Sequence, residues 1–216
     1  MTRRLASLAL AAIMFAISAC AHAGPFDGPQ GKPLRVMFNT EVSAESVAVT
    51  MAVMELAQAQ GFTTILLEFN TPGGSVDAGF LLGKAIEDSP LPVVCVVDGE
   101  AASMGAWLLQ GCKVRFMTPR SRLLMHGPSF SGVSGSLNAA DLAYLLNDLQ
   151  SLTVAMNAQL CGRLNITRED CDARIAKQWW FAAPEALEVG AIDAIVPSVA
   201  AVMAQLRGDD VRGLGY

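Results

Sequence analysis

Three short segments of the chain carry residue types that could do covalent chemistry. Residues 70–75 read NTPGGS, residues 101–106 read AASMGA, and residues 124–128 read LMHGP. Each segment follows an apolar run that predicts a strand, and α/β enzymes display their reactive groups where a strand passes into a loop or helix. Together the segments predict acyl transfer, with a glycine loop for an oxyanion, a serine nucleophile and a histidine base.

Ser103 is the predicted nucleophile. A strand that ends at Val97 and a helix that opens at Ser103 would place the hydroxyl at the positive end of the helix, where the field favours a developing oxyanion. The backbone N–H of Met104 faces the same space, and Gly74 can bring a second N–H close to the reacting carbonyl because it has no side chain. The alternative for Ser103 is a helix N-cap with no catalytic role.

His126 is the predicted general base. The chain has two histidines, and the other, His22, lies at a predicted cleavage site. His126 follows a predicted strand and precedes a Gly-Pro turn, where an imidazole can titrate near neutrality. A purely structural role for this histidine is the alternative.

The elements that must position these residues alternate along one domain, because 216 residues suit a single α/β core. Alternation of this kind predicts a mainly parallel sheet covered on both faces. A loop at 129–136 and a long helix follow, then a helix from Thr167 and a turn–helix–strand unit at 183–196. The predicted strands are 34–38, 64–69, 93–97, 113–117 and 122–125, and the predicted helices before the loop are 43–60, 76–88 and 103–110.

The long predicted helix, residues 138–163, is amphipathic. Its apolar residues recur at helical spacing, so one face needs a partner surface, either within the chain or in another subunit. These residues are Leu142, Leu145, Leu149, Leu152 and Met156.

The N-terminus predicts export. Residues 1–23 combine Arg3 and Arg4 with an apolar run that is too short to span a bilayer as a mature helix. Cleavage before Gly24 by ordinary signal peptidase and lipidation of Cys20 at a lipoprotein box both remain open. Either places the body of the protein in the periplasm, free or anchored to the envelope. We divide the rest into a tether at 24–33, a domain at 34–206 and a tail at 207–216.

The remaining composition excludes several functions. The net charge of −5, without a basic block after the signal, argues against a nucleic-acid partner. The cysteine spacing does not resemble a zinc site, and nothing indicates a metal or a cofactor.

Cys95 lies in a continuous apolar run and is predicted to be a small core residue. Cys161 and Cys171 flank a short connection and could form a disulfide in an oxidising compartment.

Four motifs in order, NTPGGSV, AASMGAWLL, PRSRLLMH and APEALEVGAID, resemble the proteolytic subunit of the Clp protease from about Arg35 to Val196. The resemblance implies an α/β fold shared with crotonases, in which helices flank a twisted, mainly parallel sheet and a handle helix protrudes. It also implies ring oligomers joined through that helix and peptide substrates. Ser103 would be the nucleophile, His126 the base, and Gly74 with Met104 the oxyanion hole.

The chain departs from this family at the third triad position. Counting without gaps places the family's aspartate at Arg174, a cation that cannot accept a proton from imidazole. Asp172 is the nearest acid and becomes the predicted orienting residue, although two residues along a helix turn it to nearly the opposite face. Asp170 shares a face with Arg174 and could pair with it. Lys84 and Lys177 are alternative bases that no motif supports.

A second departure concerns the N-terminus, where a short tether stands in place of the family's axial loop. An exported enzyme has no ATP supply, so we expect no ATPase partner and activity limited to peptides or unstructured chains. The leading hypothesis is an exported serine peptidase. A catalytically weak or inactive protein that binds peptides by strand addition is the second. A crotonase-like acyl-CoA enzyme is disfavoured because export separates it from CoA.

Overall fold

The computed structural model describes residues 32–130 and 136–208. The predicted export signal, Cys20, most of the tether, most of the 129–136 loop and most of the tail lie outside these residues. No helix within them is long and apolar enough to cross a membrane. The described elements are strands β1 (Pro33–Phe38), β2 (Thr64–Thr71), β3 (Val93–Ala102), β4 (Val114–Met117), β5 (Arg122–Met125), β6 (Trp179–Ala182) and β7 (Ala194–Ile195), and helices α1 (Ala44–Ala59), α2 (Val76–Glu87), α3 (Met104–Gly111), α4 (Ala139–Cys161), α5 (Arg168–Ile175), α6 (Ala183–Glu188) and α7 (Val199–Leu206).

The strands form one seven-stranded sheet of order β1-β2-β3-β4-β7, with β5 beside the far end of β3 and β6 beside β5. Every pair is parallel except β5 with β6. The mainly parallel α/β fold predicted from the sequence is therefore confirmed. Helices pack against both faces, because the pleat of the central strands sends alternate side chains to opposite sides.

The two faces have separate hydrophobic clusters. Ile65, Leu67 and Val97 lie in the larger cluster, on the side of α1, α2 and α3. Leu66 and Val96, one residue out of phase, lie in the smaller cluster with Val202 of α7. The α1–α3 helices thus cover the face from which Ser103 must be presented.

Strand β3 is longer than predicted. Its first half pairs with β4 and its second half pairs with β5, so it continues to Ala102 where the sequence suggested an end at Val97. Gly99 has a φ of +119°, which glycine adopts without strain. Asn70 bridges the irregular stretch, because its Oδ1 accepts the N–H of Glu100 at 3.2 Å. The extension carries the strand directly into the nucleophile position.

The long helix α4 is buried near its C-terminal end and exposed towards its N-terminus. Met156 and Leu160 near its C-terminal end are buried. Towards its N-terminus, Leu142, Tyr144 and Leu146 are 55%, 70% and 57% exposed. These three side chains therefore face solvent, whereas Leu145, Leu149 and Leu152 of the predicted apolar face are partly buried.

Two disulfides cross-link the described residues. Cys161 at the end of α4 is bonded to Cys171 of α5, the pairing that the sequence left open. Cys95 of β3 is bonded to Cys112 just after α3. Cys95 is fully buried, as predicted, but it is not the free core thiol that the sequence suggested, because the fold brings Cys112 over the strand.

Candidate active site

Ser103 occupies a sharp turn between β3 and α3. Its backbone has φ 54° and ψ −118°, a left-handed conformation that is strained for a residue with a side chain. Its N–H donates a 2.9 Å hydrogen bond to the carbonyl oxygen of Leu124. Ser103 is the N-cap residue of α3, yet its side chain makes no capping hydrogen bond. The hydroxyl is therefore not engaged in the N-cap role that was the alternative to catalysis.

The glycine loop lies against this turn. The Gly73 carbonyl accepts the N–H of Val42 at 2.7 Å. The described peptide bonds are all trans, so the N–H of Gly74 points to the side opposite that carbonyl, away from Val42. A Cβ on Gly73 would lie 2.7 Å from the Ser103 Cβ and 2.9 Å from the Met104 nitrogen. The loop can approach the nucleophile this closely only because residue 73 is glycine.

Met104 is the first residue of α3, so its N–H has no acceptor within the helix. Its side chain is 1% exposed and packs against α2 at Gly79, where any Cβ would collide with it. This packing holds the free N–H at the positive end of α3. The structure therefore brings Ser103, Gly73 and Met104 together at the N-terminal end of α3.

His126 follows β5 directly and is half-buried. Its Nδ1 lies 2.6 Å from the Gly127 carbonyl oxygen. A carbonyl can only accept, so Nδ1 carries the proton and Nε2 keeps the lone pair that a general base needs. Within the described residues no hydrogen bond joins His126 to Ser103. Catalytic hydrogen bonds are often long without substrate and tighten only in the complex.

The structure does not bring Asp172 to the imidazole. Its Oδ1 accepts the Nδ2–H of Asn157 at 2.8 Å, and its carboxylate accepts the Nε–H of Arg168 at 2.8 and 3.0 Å. Neither oxygen is hydrogen-bonded to His126. Asp172 therefore joins α5 to α4 and to its own first turn, as the helical geometry that opposed its catalytic role suggests.

Arg174 is held by acids on its own side of the domain. Its Nε donates to Asp170 at 3.0 Å, which confirms the pairing expected from their shared helix face. Its guanidinium lies 4.8 Å from the centre of the Trp179 ring, and Glu185 is 3.6 Å away. The positive charge at this position is thus neutralised by a network rather than left free beside the site.

Gln178 is a residue that the sequence reasoning missed. The last pair of the antiparallel β5–β6 ladder is Met125 with Trp179, so His126 and Gln178 each lie one residue beyond that pair. Gln178 has a φ of 58°, and it and Ser103 are the two non-glycine residues with positive φ in the described chain. The aromatic run 179–181 was the available signal, because it favours a strand.

The two lysines considered as alternative bases do not suit that role. The side-chain hydrogen bond to Asp88 raises the pKa of Lys84, against a smaller opposing effect of desolvation, so its ammonium stays protonated. Lys177 is exposed just beyond α5. His126 remains the base that the geometry supports.

A strained serine between a strand and a helix, beside a glycine loop, is typical of serine hydrolases. The chain belongs to the Clp protease family, whose family model matches residues 32–199. That family consists of serine peptidases, so peptidase function holds at the level of the family.

The chain is similar to Clp protease proteolytic subunits of several bacteria. The ATP-dependent Clp protease proteolytic subunit 1 of Chlamydia trachomatis is 33% identical over 170 residues, covering 75% of this chain and 85% of the relative. Proteolytic subunit 2 of Mycolicibacterium paratuberculosis is 36% identical over 155 residues, covering 69% and 75%. Proteolytic subunit 1 of Mycobacterium leprae is 36% identical over 149 residues, covering 67% and 72%.

Proposed function

We propose that this protein is an exported serine peptidase that cleaves peptide bonds through an acyl-enzyme on Ser103, without ATP. The observation that carries the proposal is the strained Ser103 turn. It presents a hydroxyl without a capping role beside the glycine loop and the free N–H of Met104. Strain of this kind persists only where the surrounding structure enforces it, and it is concentrated at functional sites.

In the proposed mechanism, Nε2 of His126 removes the proton of the Ser103 hydroxyl as its oxygen attacks the peptide carbonyl. The N–H groups of Gly74 and Met104 stabilise the oxyanion of the tetrahedral intermediate. The imidazolium then gives its proton to the leaving amine, and the Ser103 ester remains. A water molecule, deprotonated by His126, hydrolyses that ester and restores the free serine.

In the described structure the hydrogen-bond partner of the proposed base, His126, is a neutral group. The Gly127 carbonyl sets the tautomer of His126, but a dipole stabilises the imidazolium less than a full negative charge would. Loss of the triad acid costs about 10⁴ in turnover where the rest of the geometry is intact. We therefore expect slow turnover, suited to peptides and unstructured chains.

Export is supported by two kinds of observation. The first 23 residues have the charge and apolar pattern of a signal, and two disulfides join described elements. Structural disulfides form and persist mainly outside the cytoplasm. ATP is absent there, so the proposed enzyme works without an ATPase partner, either free in the periplasm or tethered through a lipidated Cys20.

We further propose a homo-oligomer assembled through α4. Leu142, Tyr144, Leu146 and Val154 are exposed on this helix, and a solvent-facing apolar surface of this kind favours burial against another subunit. The family resemblance supports the same contact.

A fluorophosphonate probe tests the proposed function, since it reacts only with an activated serine. We expect the purified protein to become labelled and to hydrolyse fluorogenic peptides equally well with and without ATP. Ser103→Ala should abolish both signals at unchanged thermal stability, while the exposed Ser136→Ala should leave both intact. Labelling that survives in Ser103→Ala would place the nucleophile elsewhere.

A peptide-binding protein without turnover is the second candidate, and the neutral partner of His126 is the observation that favours it. In that case the probe would leave Ser103 unlabelled, and the protein would still bind extended peptides, as fluorescence anisotropy would show.

A further inference from the structure

Gln178 and His126 each adjoin the last pair of the β5–β6 ladder, Met125 with Trp179. The β5–β6 register pairs Leu124 with Trp180 and ends with Met125 and Trp179, and the same register extended by one step would pair His126 with Gln178. Residues directly opposite in an antiparallel pair have Cβ atoms about 5 Å apart, within reach of each other's polar groups. A glutamine side chain at this position can therefore reach the imidazole.

The backbone at Gln178 is held in place by its neighbours. Its N–H donates to the Ile175 carbonyl at 3.1 Å, which closes the turn after α5. The next residue, Trp179, is buried, and its Nε1–H donates to Glu185 at 3.0 Å. These contacts enforce a φ of 58° on a residue that has a Cβ.

The two strained residues border the same stretch of chain. Ser103 is hydrogen-bonded to Leu124, two residues before His126, and Gln178 directly precedes Trp179, the β6 partner of Met125. The two described non-glycine residues with positive φ, Ser103 and Gln178, thus both adjoin the strand β5, which His126 follows. One is the proposed nucleophile, and the other is a residue with no role so far.

Gln178 can supply an acceptor for the Nδ1–H of His126. Three acids on α5 and α6 have other partners, since Asp170 pairs with Arg174, Asp172 with Arg168, and Glu185 with both Trp179 and Arg174. The Gln178 side chain has no hydrogen bond within the described residues and is exposed. Its amide oxygen is an acceptor, which is what an Nδ1–H requires.

We propose that Gln178 is the positioning residue of His126. Its amide oxygen accepts the Nδ1–H of His126 together with the Gly127 carbonyl oxygen. Two neutral acceptors and no carboxylate therefore orient the base during catalysis. The catalytic part of this inference rests on the proposed peptidase function, whereas the contact between the two side chains does not.

The contact is tested by a proton NMR titration of the imidazole, assigned through its absence in His126→Ala. Gln178→Asp places a carboxylate at the same residue on a side chain one methylene shorter, and aspartate tolerates the left-handed backbone. We expect the pKa of His126 to rise by about one unit or more. The control, Ala176→Asp, adds the same charge at an exposed position two residues earlier and should shift it much less. A His126 pKa in Gln178→Asp that matches the control would overturn the proposal.

Kinetics test the catalytic part. Gln178→Gly removes the amide and relieves the backbone strain, so we expect an unchanged or higher melting temperature together with a roughly three- to tenfold lower kcat and an unchanged KM. Gln178→Asp should raise kcat and move the acidic limb of its pH profile upwards with the pKa of His126. Unchanged kcat in Gln178→Gly would contradict the positioning role. If wild type hydrolyses no peptide, the proposed function fails, and the titration still decides the contact.

Discussion

The backbone N–H of Ser103 donates a 2.9 Å hydrogen bond to the carbonyl oxygen of Leu124, two residues before His126. This bond extends the parallel pairing of β3 and β5, whose last described pair is Ala102 with Leu124. The turn that presents the nucleophile and the strand that ends at the base are thereby one rigid unit. The separation of the two catalytic side chains is set by sheet geometry rather than by a loop.

The hydroxyl of Thr71 should orient the oxyanion loop. Thr71 is fully buried, and its Oγ1 accepts the Gly73 N–H at 3.1 Å. Thr71→Val keeps the shape but leaves that N–H unpaired, which costs about 1–3 kcal/mol where the group stays buried. Because the loop then loses its fixed orientation, we expect kcat to fall roughly tenfold or more with little change in KM.

Thr71→Ser is the matched control, because it keeps the acceptor and loses only the methyl group that packs against Gly105. Steady-state kinetics on both variants make the comparison. Equal kcat for Thr71→Val and wild type would show that the hydroxyl does not position the loop.

Asp172 should be dispensable for catalysis. Its carboxylate is bound by Arg168 and Asn157, and the ion pair with Arg168 is 46% and 42% exposed. Asp172→Asn should leave kcat and its pH profile nearly unchanged and cost about 1 kcal/mol of stability or less. A triad acid would instead cost about 10⁴ in turnover. A loss of several orders of magnitude at unchanged thermal stability would return Asp172 to the mechanism.

The apolar surface of α4 should hold the oligomer together. Leu142 and Leu146 are exposed one helical turn apart, so Leu142→Glu with Leu146→Glu should place charges in the subunit contact without disturbing the monomer core. We expect multi-angle light scattering to show a smaller species.

Ala44→Glu with Ala48→Glu adds the same charges at the same spacing, at exposed positions on α1, and should leave the mass unchanged. A wild-type protein that is monomeric at every concentration tested would refute assembly through this helix.

Asp193 should make the stability of the fold depend on pH. Burial raises the pKa of Asp193, but hydrogen bonds from Arg115 and the charges of Arg115 and Arg163 outweigh burial and hold that pKa below its ordinary value of 3.8. Its stabilising effect is therefore present above about pH 4 and is lost as the pH falls through the lowered value. Arg115 is 4% exposed, so the pair is mostly shielded from solvent on its side.

Asp193→Asn leaves the buried guanidinium without its carboxylate. We expect it to lower the free energy of unfolding at pH 7 by about 3 kcal/mol, and the difference from wild type to shrink below pH 4. Urea denaturation across this pH range measures both effects. Asp88→Asn, in an exposed pair with Lys84, is the control and should cost at most about 1 kcal/mol. A deficit of Asp193→Asn that stays constant down to pH 2 would contradict the assignment.

Much of the fold and part of the site follow from local sequence. Strands β1 and β2 and helices α1 to α4 begin and end close to the predicted residues, because apolar periodicity and capping residues act over a few positions. Gly61 just beyond α1, for example, has the positive φ expected of a residue that ends a helix. The Ser103 turn and the glycine loop were readable for the same reason, since each is a short motif whose backbone needs those residue types.

Long-range packing decided which of these local elements contact one another. Cys95 is bonded to Cys112 because β3 and the end of α3 meet in space, which no spacing rule predicts. The neighbour of His126 depends on the register between β5 and β6, and that register follows from the burial of Trp179 and Phe181 beneath the exposed Trp180. A shift by one residue would turn the buried aromatic side chains to solvent. Burial therefore sets a register that, extended by one step, would pair Gln178 with His126, where counting along the sequence pointed to Arg174 and Asp172.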